Sequence, residues 1–290
     1  MINQEFTFST ESLDILRNLN ISLESIPVQD FNHVASPIII YQMGKVGSST
    51  IQASLKKSNI PNSVFHCHHM SNKSLDKIVK LHAQNQKGRE AQFLKGVKLR
   101  KLLNHLTNQN RTIKIISLVR ETIGLEISAV FENLRHRPAL LSGDGSINKP
   151  RMHEFLLQKI RRLNHKHSYF SNWFDMEFNG TFGLDIYAYP YDYEKRYSII
   201  NDSKVSILLM RLEDISEYLT EAMDEFLKIP DIAVVNANIG TQKRHYVDYS
   251  LMLKNLRFTR TECVHAYSGK CFNHFYSETE KEQFIKKWST

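Results

Sequence analysis

The sequence is poor in cysteine. Its 290 residues hold three, Cys67, Cys263 and Cys271, at no spacing that would build a disulfide framework. Thiols this sparse fit a reducing compartment. Glycine (11) and proline (7) are also scarce, which excludes collagen-like and low-complexity chains. No apolar run approaches the roughly 18 residues needed to span a bilayer. The amino terminus, MINQEFTFSTESLDIL, has neither the basic start nor the apolar centre of a secretory leader. These absences predict a cytoplasmic protein with no membrane span. Acidic residues are outnumbered, 30 against 38 Lys and Arg, for a formal net charge of +8. An anionic partner follows, and a nucleic acid, a nucleotide or an acidic glycan would each satisfy the charge.

What is present is an alternation of apolar runs and helical stripes. Ile38–Tyr41 and Ile113–Val119 read as buried strands, Ser63–His68 as a short one, and Val205–Met210 as another. Helical patterns separate them, so the strands pair in parallel through crossovers and the fold class is α/β. Residues 72–108 carry a helical stripe that Gly88 and Gly96 are expected to divide. Helices are also expected at Glu11–Leu19, Ile123–Arg135, Met152–Phe170, Asp214–Leu227, Val247–Leu256 and Glu278–Trp288, with one more strand near Leu184–Tyr189. Residues 1–35 read as an extension packed on the body, and 36–290 as a single domain.

The stretch around which the chain is organised is SPIIIYQMGKVGSSTI, Ser36–Ile51. A strand runs into a loop with Gly44 and Gly47, and three hydroxyl residues, Ser48, Ser49 and Thr50, open a helix. Free amides at a helix start attract anions, and Lys45 adds a mobile charge. The nucleoside-triphosphate loop G-x-x-x-x-G-K-[ST] is absent, because here the lysine precedes the second glycine. Arg120 ends the third apolar strand where a magnesium-binding acid would stand in a triphosphatase, and its forked donors suit a phosphate. Ser128 follows eight residues later. His66 and His68 share one strand face while Cys67 and His69 take the other. The four cannot converge on one ion, so no metal is expected. An imidazole is instead placed to act as a general base, with His68, nearer the strand end, preferred over His66. Should neither histidine act, a carboxylate would take the proton, with Glu121 the first to test.

These residues together resemble the sulfotransferases that use 3′-phosphoadenosine 5′-phosphosulfate (PAPS). Lys45-Val46-Gly47-Ser48-Ser49 matches that family's 5′-phosphosulfate loop, K-x-G-[ST]-[ST], and Arg120 with Ser128 matches its 3′-phosphate pair in residue type and spacing. His66-Cys67-His68 is similar to the H-x-H of glycan 2-O-sulfotransferases. The IYQMGKVGSST and NWFD (Asn172–Asp175) segments resemble bacterial capsular polysaccharide synthesis proteins. The resemblance implies a P-loop-like three-layer fold with a central parallel sheet, PAPS as donor, a hydroxylated carbohydrate acceptor, and no metal or nucleic acid. Gly44 through Thr50, Arg120 and Ser128 would bind the donor, with Lys45, His68 and His66 in the chemistry. The cytosolic members' C-terminal R-K-G-x-x-G motif is missing, leaving Lys243 and Arg244 as stand-ins. A kinase or nucleotidase using ATP and magnesium, or a nucleic-acid-binding protein, are the competing readings. Aromatic residues crowd Tyr169–Tyr197, where some would stack on sugar faces.

Overall fold

The structure is a computed structural model that describes residues 5–84, 88–163, 169–203, 205–235 and 246–290. Helix α1 (Thr10–Asn18) starts where Ser9 accepts the Ser12 amide. Strand β1 (Ile38–Tyr41) leads through the glycine loop to α2 (Ser48–Lys57), and β2 (Val64–Cys67) follows. Two helices, α3 (Asn72–Ala83) and α4 (Arg89–Asn108), precede β3 (Ile113–Val119) and α5 (Thr122–Glu132). Beyond α6 (Lys149–Arg161), a π turn at Asp175–Asn179 runs into the single turn α7 (Gly180–Phe182). Strands β4 (Tyr197–Asn201) and β5 (Val205–Arg211) complete the sheet. Helices α8 (Ile215–Leu227), α9 (Tyr246–Asn255), α10 (Arg260–Ala266), α11 (Lys270–Phe275) and α12 (Glu278–Trp288) complete the described chain.

The strands form one sheet in the order β2-β1-β3-β5-β4. The first four are parallel, and β4 runs antiparallel on the edge beside β5. Every residue of β1 is buried, as a strand covered on both faces requires. Lys114 reaches the Phe226 carbonyl of α8 from one face at 3.0 Å. On the other, Tyr41 packs among Trp173, Phe178 and Phe182. Helices therefore cover both faces of the sheet.

Three expectations are corrected. Leu184–Tyr189 is not a strand but a 3-10 turn at Ile186–Ala188, because the Asp185 side chain accepts the Tyr187 amide. The α6 helix ends at Arg161. Gly96 does not divide the 72–108 stripe. It lies inside α4, which presses so closely on the chain that a Cβ there would sit 2.4 Å from the His69 carbonyl oxygen. Gly88, in contrast, does separate the two helices, in the left-handed region at φ 81°.

The apolar interior has two parts. The larger surrounds the sheet, and a smaller cluster of Leu16, Ile26, Leu75, Ile78, Val79, Phe93 and Val97 joins the N-terminal segment to α3 and α4. Polar ties reinforce the smaller one. Ser9 bonds Asp76 through its amide (2.8 Å) and hydroxyl (2.7 Å), and Lys101 donates to the Ile26 carbonyl (2.6 Å).

Candidate functional site

The glycine loop occupies the carboxyl end of β1, where an open parallel sheet places ligands. Gly47 heads α2 at φ 101° with no side-chain cap, and only Thr50 and Ile51 return amides to its carbonyl. The Ser48 and Ser49 amides have no acceptor among the described residues, which leaves the positive helix end open for an anion. The left-handed backbone requires glycine at 47, and a Cβ there would also displace a Leu212 methyl 2.7 Å away. Lys45 stands at φ 69°. Among the described residues, four of the seven non-glycine residues with positive φ are Asn or Asp, which tolerate it, and Lys45 is not. Strain of this kind collects in ligand-binding loops. Val46 is fully buried and anchors the turn.

Arg120 flanks the loop on the β3 side. Its Nη1 donates to the Lys45 carbonyl at 3.3 Å, so strand end and loop are already braced together. The Lys45 ammonium lies 3.0 Å from Glu132 of α5. Ser128 lies one turn before Glu132, so the pairing turns the Ser128 face of α5 toward the loop. Glu121 is removed from the candidate bases. It is 3% exposed and caps α5, its carboxylate accepting the Ile123 (3.0 Å) and Gly124 (2.9 Å) amides and the Tyr267 hydroxyl (2.8 Å). Glu213 accepts the Glu121 amide and the Tyr276 hydroxyl. Both carboxylates serve the fold.

His66 and His68 flank the loop on the β2 side, and their rings meet edge to face at 4.5 Å. β2 ends at Cys67, so His68 stands just beyond it while His66 lies within. The His68 Nδ1 is 2.6 Å from the Gln42 carbonyl. A carbonyl only accepts, so Nδ1 carries the proton and Nε2 keeps a free lone pair. Burial, and the nearby Lys95 and Lys45 charges among others, lower the His68 pKa against the opposing Gln42 bond. Burial, His68 and Lys95 bring His66 down to about 3. Both rings are therefore neutral at pH 7, the form a base requires. Gln42 is fully buried with neither amide atom partnered among the described residues, and the His66 Nε2 is likewise unpartnered. Burial pushes the Cys67 thiol up to about 12, which removes it as a nucleophile. Among the described residues no group of three or more His, Cys, Asp or Glu is placed to hold a metal. Lys243 and Arg244 lie outside the described residues.

A small cleft of about 30 Å³ opens beside Arg120. Met43, Thr122 and Leu125 form one wall, and Phe170, Gly269, Phe272 and Tyr276 are among the residues of the other. The strand order thus puts the cleft and Arg120 on one side of the loop and the histidines on the other. Most aromatics of Tyr169–Tyr197 are not available to a sugar. Trp173, Phe174 and Phe178 are buried in the core, whereas Tyr193 is exposed.

Sequence reasoning missed Glu177. Fully buried, it accepts the Tyr41 and Ser74 hydroxyls and the amides of Met70 (2.9 Å) and Ser71 (3.0 Å). His69 Nδ1 lies 3.5 Å away, outside hydrogen-bond geometry but close enough to favour the charge. Burial opposes ionisation, yet His69 and the hydroxyl donors outweigh it and hold the carboxyl below its usual range. Trp173 adds a second tie, its Nε1 donating to the His68 carbonyl at 3.3 Å. These contacts fix the turn after the histidines.

A family model described as "NKWYS: Putative capsular polysaccharide synthesis protein" matches residues 146–277, less than half of the chain. That segment is thus similar to a family described by polysaccharide synthesis. The matched segment contains Trp173 and Glu177 and the α10–α11 wall of the cleft, but neither the glycine loop, the histidines nor Arg120. No curated protein and no solved structure matches the chain. No helix among the described residues is long and apolar enough to cross a membrane.

Proposed function

We propose that the protein transfers a sulfuryl group from PAPS to a hydroxyl of a carbohydrate. The observation that carries this reading is the arrangement around the loop. A capless helix start with a strained lysine has an arginine on one side and, on the other, an imidazole with a fixed tautomer. Bound PAPS supplies an activated sulfur whose bond to the bridging phosphate oxygen breaks as the acceptor oxygen attacks. The chain's part is placement and charge. The open amides of α2, with Ser48, Ser49 and Thr50, hold phosphate oxygens, and Lys45 neutralises the charge left on the departing 5′-phosphate. Arg120 and Ser128 read the 3′-phosphate. His68 Nε2 takes the acceptor proton as the new S–O bond forms. The family likeness to polysaccharide synthesis supports a sugar as acceptor.

The test is thermal unfolding with 3′-phosphoadenosine 5′-phosphate, 5′-AMP, ATP with magnesium, or single-stranded RNA. The 3′-phosphorylated nucleotide is expected to stabilise most, without magnesium, by about 2.7 kcal/mol at a hundredfold excess over its Kd. Equal shifts with 5′-AMP would remove the 3′-phosphate assignment. A larger shift with magnesium-ATP would favour a kinase or nucleotidase, and one with RNA a nucleic-acid-binding protein.

A further inference from the structure

The NWFD segment, Asn172–Asp175, has no part in the transfer chemistry described above, yet it reaches His68 from 105 residues away. Trp173 is fully buried, and its one polar atom, Nε1, donates to the His68 carbonyl at 3.3 Å. A buried indole N–H needs a partner, and here the partner is the residue placed to act as the base. The Trp173 ring stands edge-on to Tyr41 at 5.2 Å. Tyr41 ends β1, and Gln42, which follows it, offers the carbonyl that fixes the His68 Nδ1 proton at 2.6 Å. His68 is therefore held twice against one strand end, its ring by Gln42 and its main chain by Trp173. Four residues beyond Trp173, Glu177 receives the Met70 and Ser71 amides of the same turn. It lies in the π turn Asp175–Asn179, a widened geometry frequent at functional sites. The segment is anchored from its other side by α11. Phe174 packs on Phe275 at 5.5 Å, and Asp175 pairs with Lys270 at 3.2 Å.

We infer that Trp173 is a positioning residue for His68, its indole N–H holding the histidine main chain so that the ring stays bonded to the Gln42 carbonyl. The inference rests on the proposed function only in calling His68 the base. Phenylalanine at 173 would fill much of the same space but could not bond His68. The histidine main chain would then gain freedom, and the bond from Nδ1 to Gln42 would be made only part of the time. The ring proton would be shared with Nε2, and an Nε2 that carries a proton cannot accept one. A base in the wrong tautomer, or displaced by a fraction of an ångström, loses rate. Nucleotide binding on the Arg120 side does not depend on this tie.

The experiment is NMR of isotope-labelled histidine rings in the full chain, with His68 assigned by the signals lost in His68→Ala. Titration calorimetry with 3′-phosphoadenosine 5′-phosphate runs alongside. Wild-type His68 is expected as the Nδ1-protonated tautomer, titrating below 6.5. In Trp173→Phe the Nε2-protonated form should appear, and the His68 midpoint should rise by about 0.5 or more, the scale of one neutral hydrogen bond. Nucleotide affinity should stay within about twofold, less than the loss of one such bond. The groups facing His68, namely His66, His69, Lys95 and Lys45, are untouched by the substitution. Phe182→Leu is the control, because it thins the same aromatic cluster and leaves the indole N–H in place. It should lower the unfolding midpoint without moving the His68 signals. Should Trp173→Phe not fold, the benzothienyl analogue of tryptophan at 173 replaces it, keeping the bicyclic shape and lacking only the donor. His68 signals unchanged without the donor, moved equally by Phe182→Leu, or showing Nε2 protonated already in the wild type overturn the inference. Failure of the nucleotide to bind the wild type instead overturns the donor assignment, and the histidine spectra still judge the tie.

Discussion

The Lys45 ammonium lies 3.0 Å from the Glu132 carboxylate, so the cation of the glycine loop is already paired before any ligand arrives. A bound anion has to compete with that carboxylate. The pair is partly exposed, 24% for the lysine side chain and 48% for the glutamate, and pairs of this kind are worth about 0.2–1 kcal/mol. Glu132→Gln should therefore tighten binding of 3′-phosphoadenosine 5′-phosphate by up to about fivefold. Titration calorimetry reads the change, and weaker binding in the variant would show that Glu132 helps the loop rather than restraining it.

His68→Ala should lower turnover by a factor on the order of 10²–10⁴ while nucleotide affinity stays near wild type. The His68 pKa is lowered from 6.5. The neutral base is thus retained through neutral pH, and turnover should fall only as pH drops through that lowered pKa. Loss of this acid limb in the variant is the signature sought. A limb that persists in His68→Ala but vanishes in His66→Ala would exchange their roles.

Protonation of His66 opposes folding, because its pKa is 6.5 in the ordinary state and about 3 in the fold. The unfolded chain binds the extra proton between those values. Stability is complete above 6.5 and declines as pH falls toward 3. His66→Gln should flatten this part of the profile of unfolding midpoint against pH; an unaltered slope would place the effect elsewhere.

Glu177 contributes in a different window. Its pKa is depressed below the usual 4.5, so its stabilisation is present above that value and lost as pH falls through the depressed one. Glu177→Gln removes the charge from a buried acceptor of hydroxyl and amide donors and should cost about 1.5–3 kcal/mol or more in denaturant unfolding. A neutral result would mean that those donors find other acceptors.

Much of the framework is legible in the sequence because it rests on local patterns. Ile38–Tyr41, Ile113–Val119 and Glu278–Trp288 form the elements that their apolar spacing indicates. Strand β4, YSIIN, gives a weaker signal, since it is short and lies antiparallel on the sheet edge. Gly96 reads as a helix breaker until the His69 backbone packed against it is known. Glu177 could not be found from sequence because Tyr41, Met70, Ser71 and Ser74 lie more than 100 residues before it. Glu121 stands beside Arg120, and adjacency in sequence gave it a catalytic look. Its cap bonds and Tyr267 give it a structural task instead.

The separation of the apolar interior into a large and a small cluster predicts two units that open at different free energies. Amides of α1 and α3, held by the small cluster, are expected to exchange with deuterium at a lower opening free energy than those of β3 and β5. The seam between the units runs along Gly96 and His69, beside the histidines rather than beside Arg120. A transient opening there would loosen the histidine edge of the loop and leave the Arg120 edge closed.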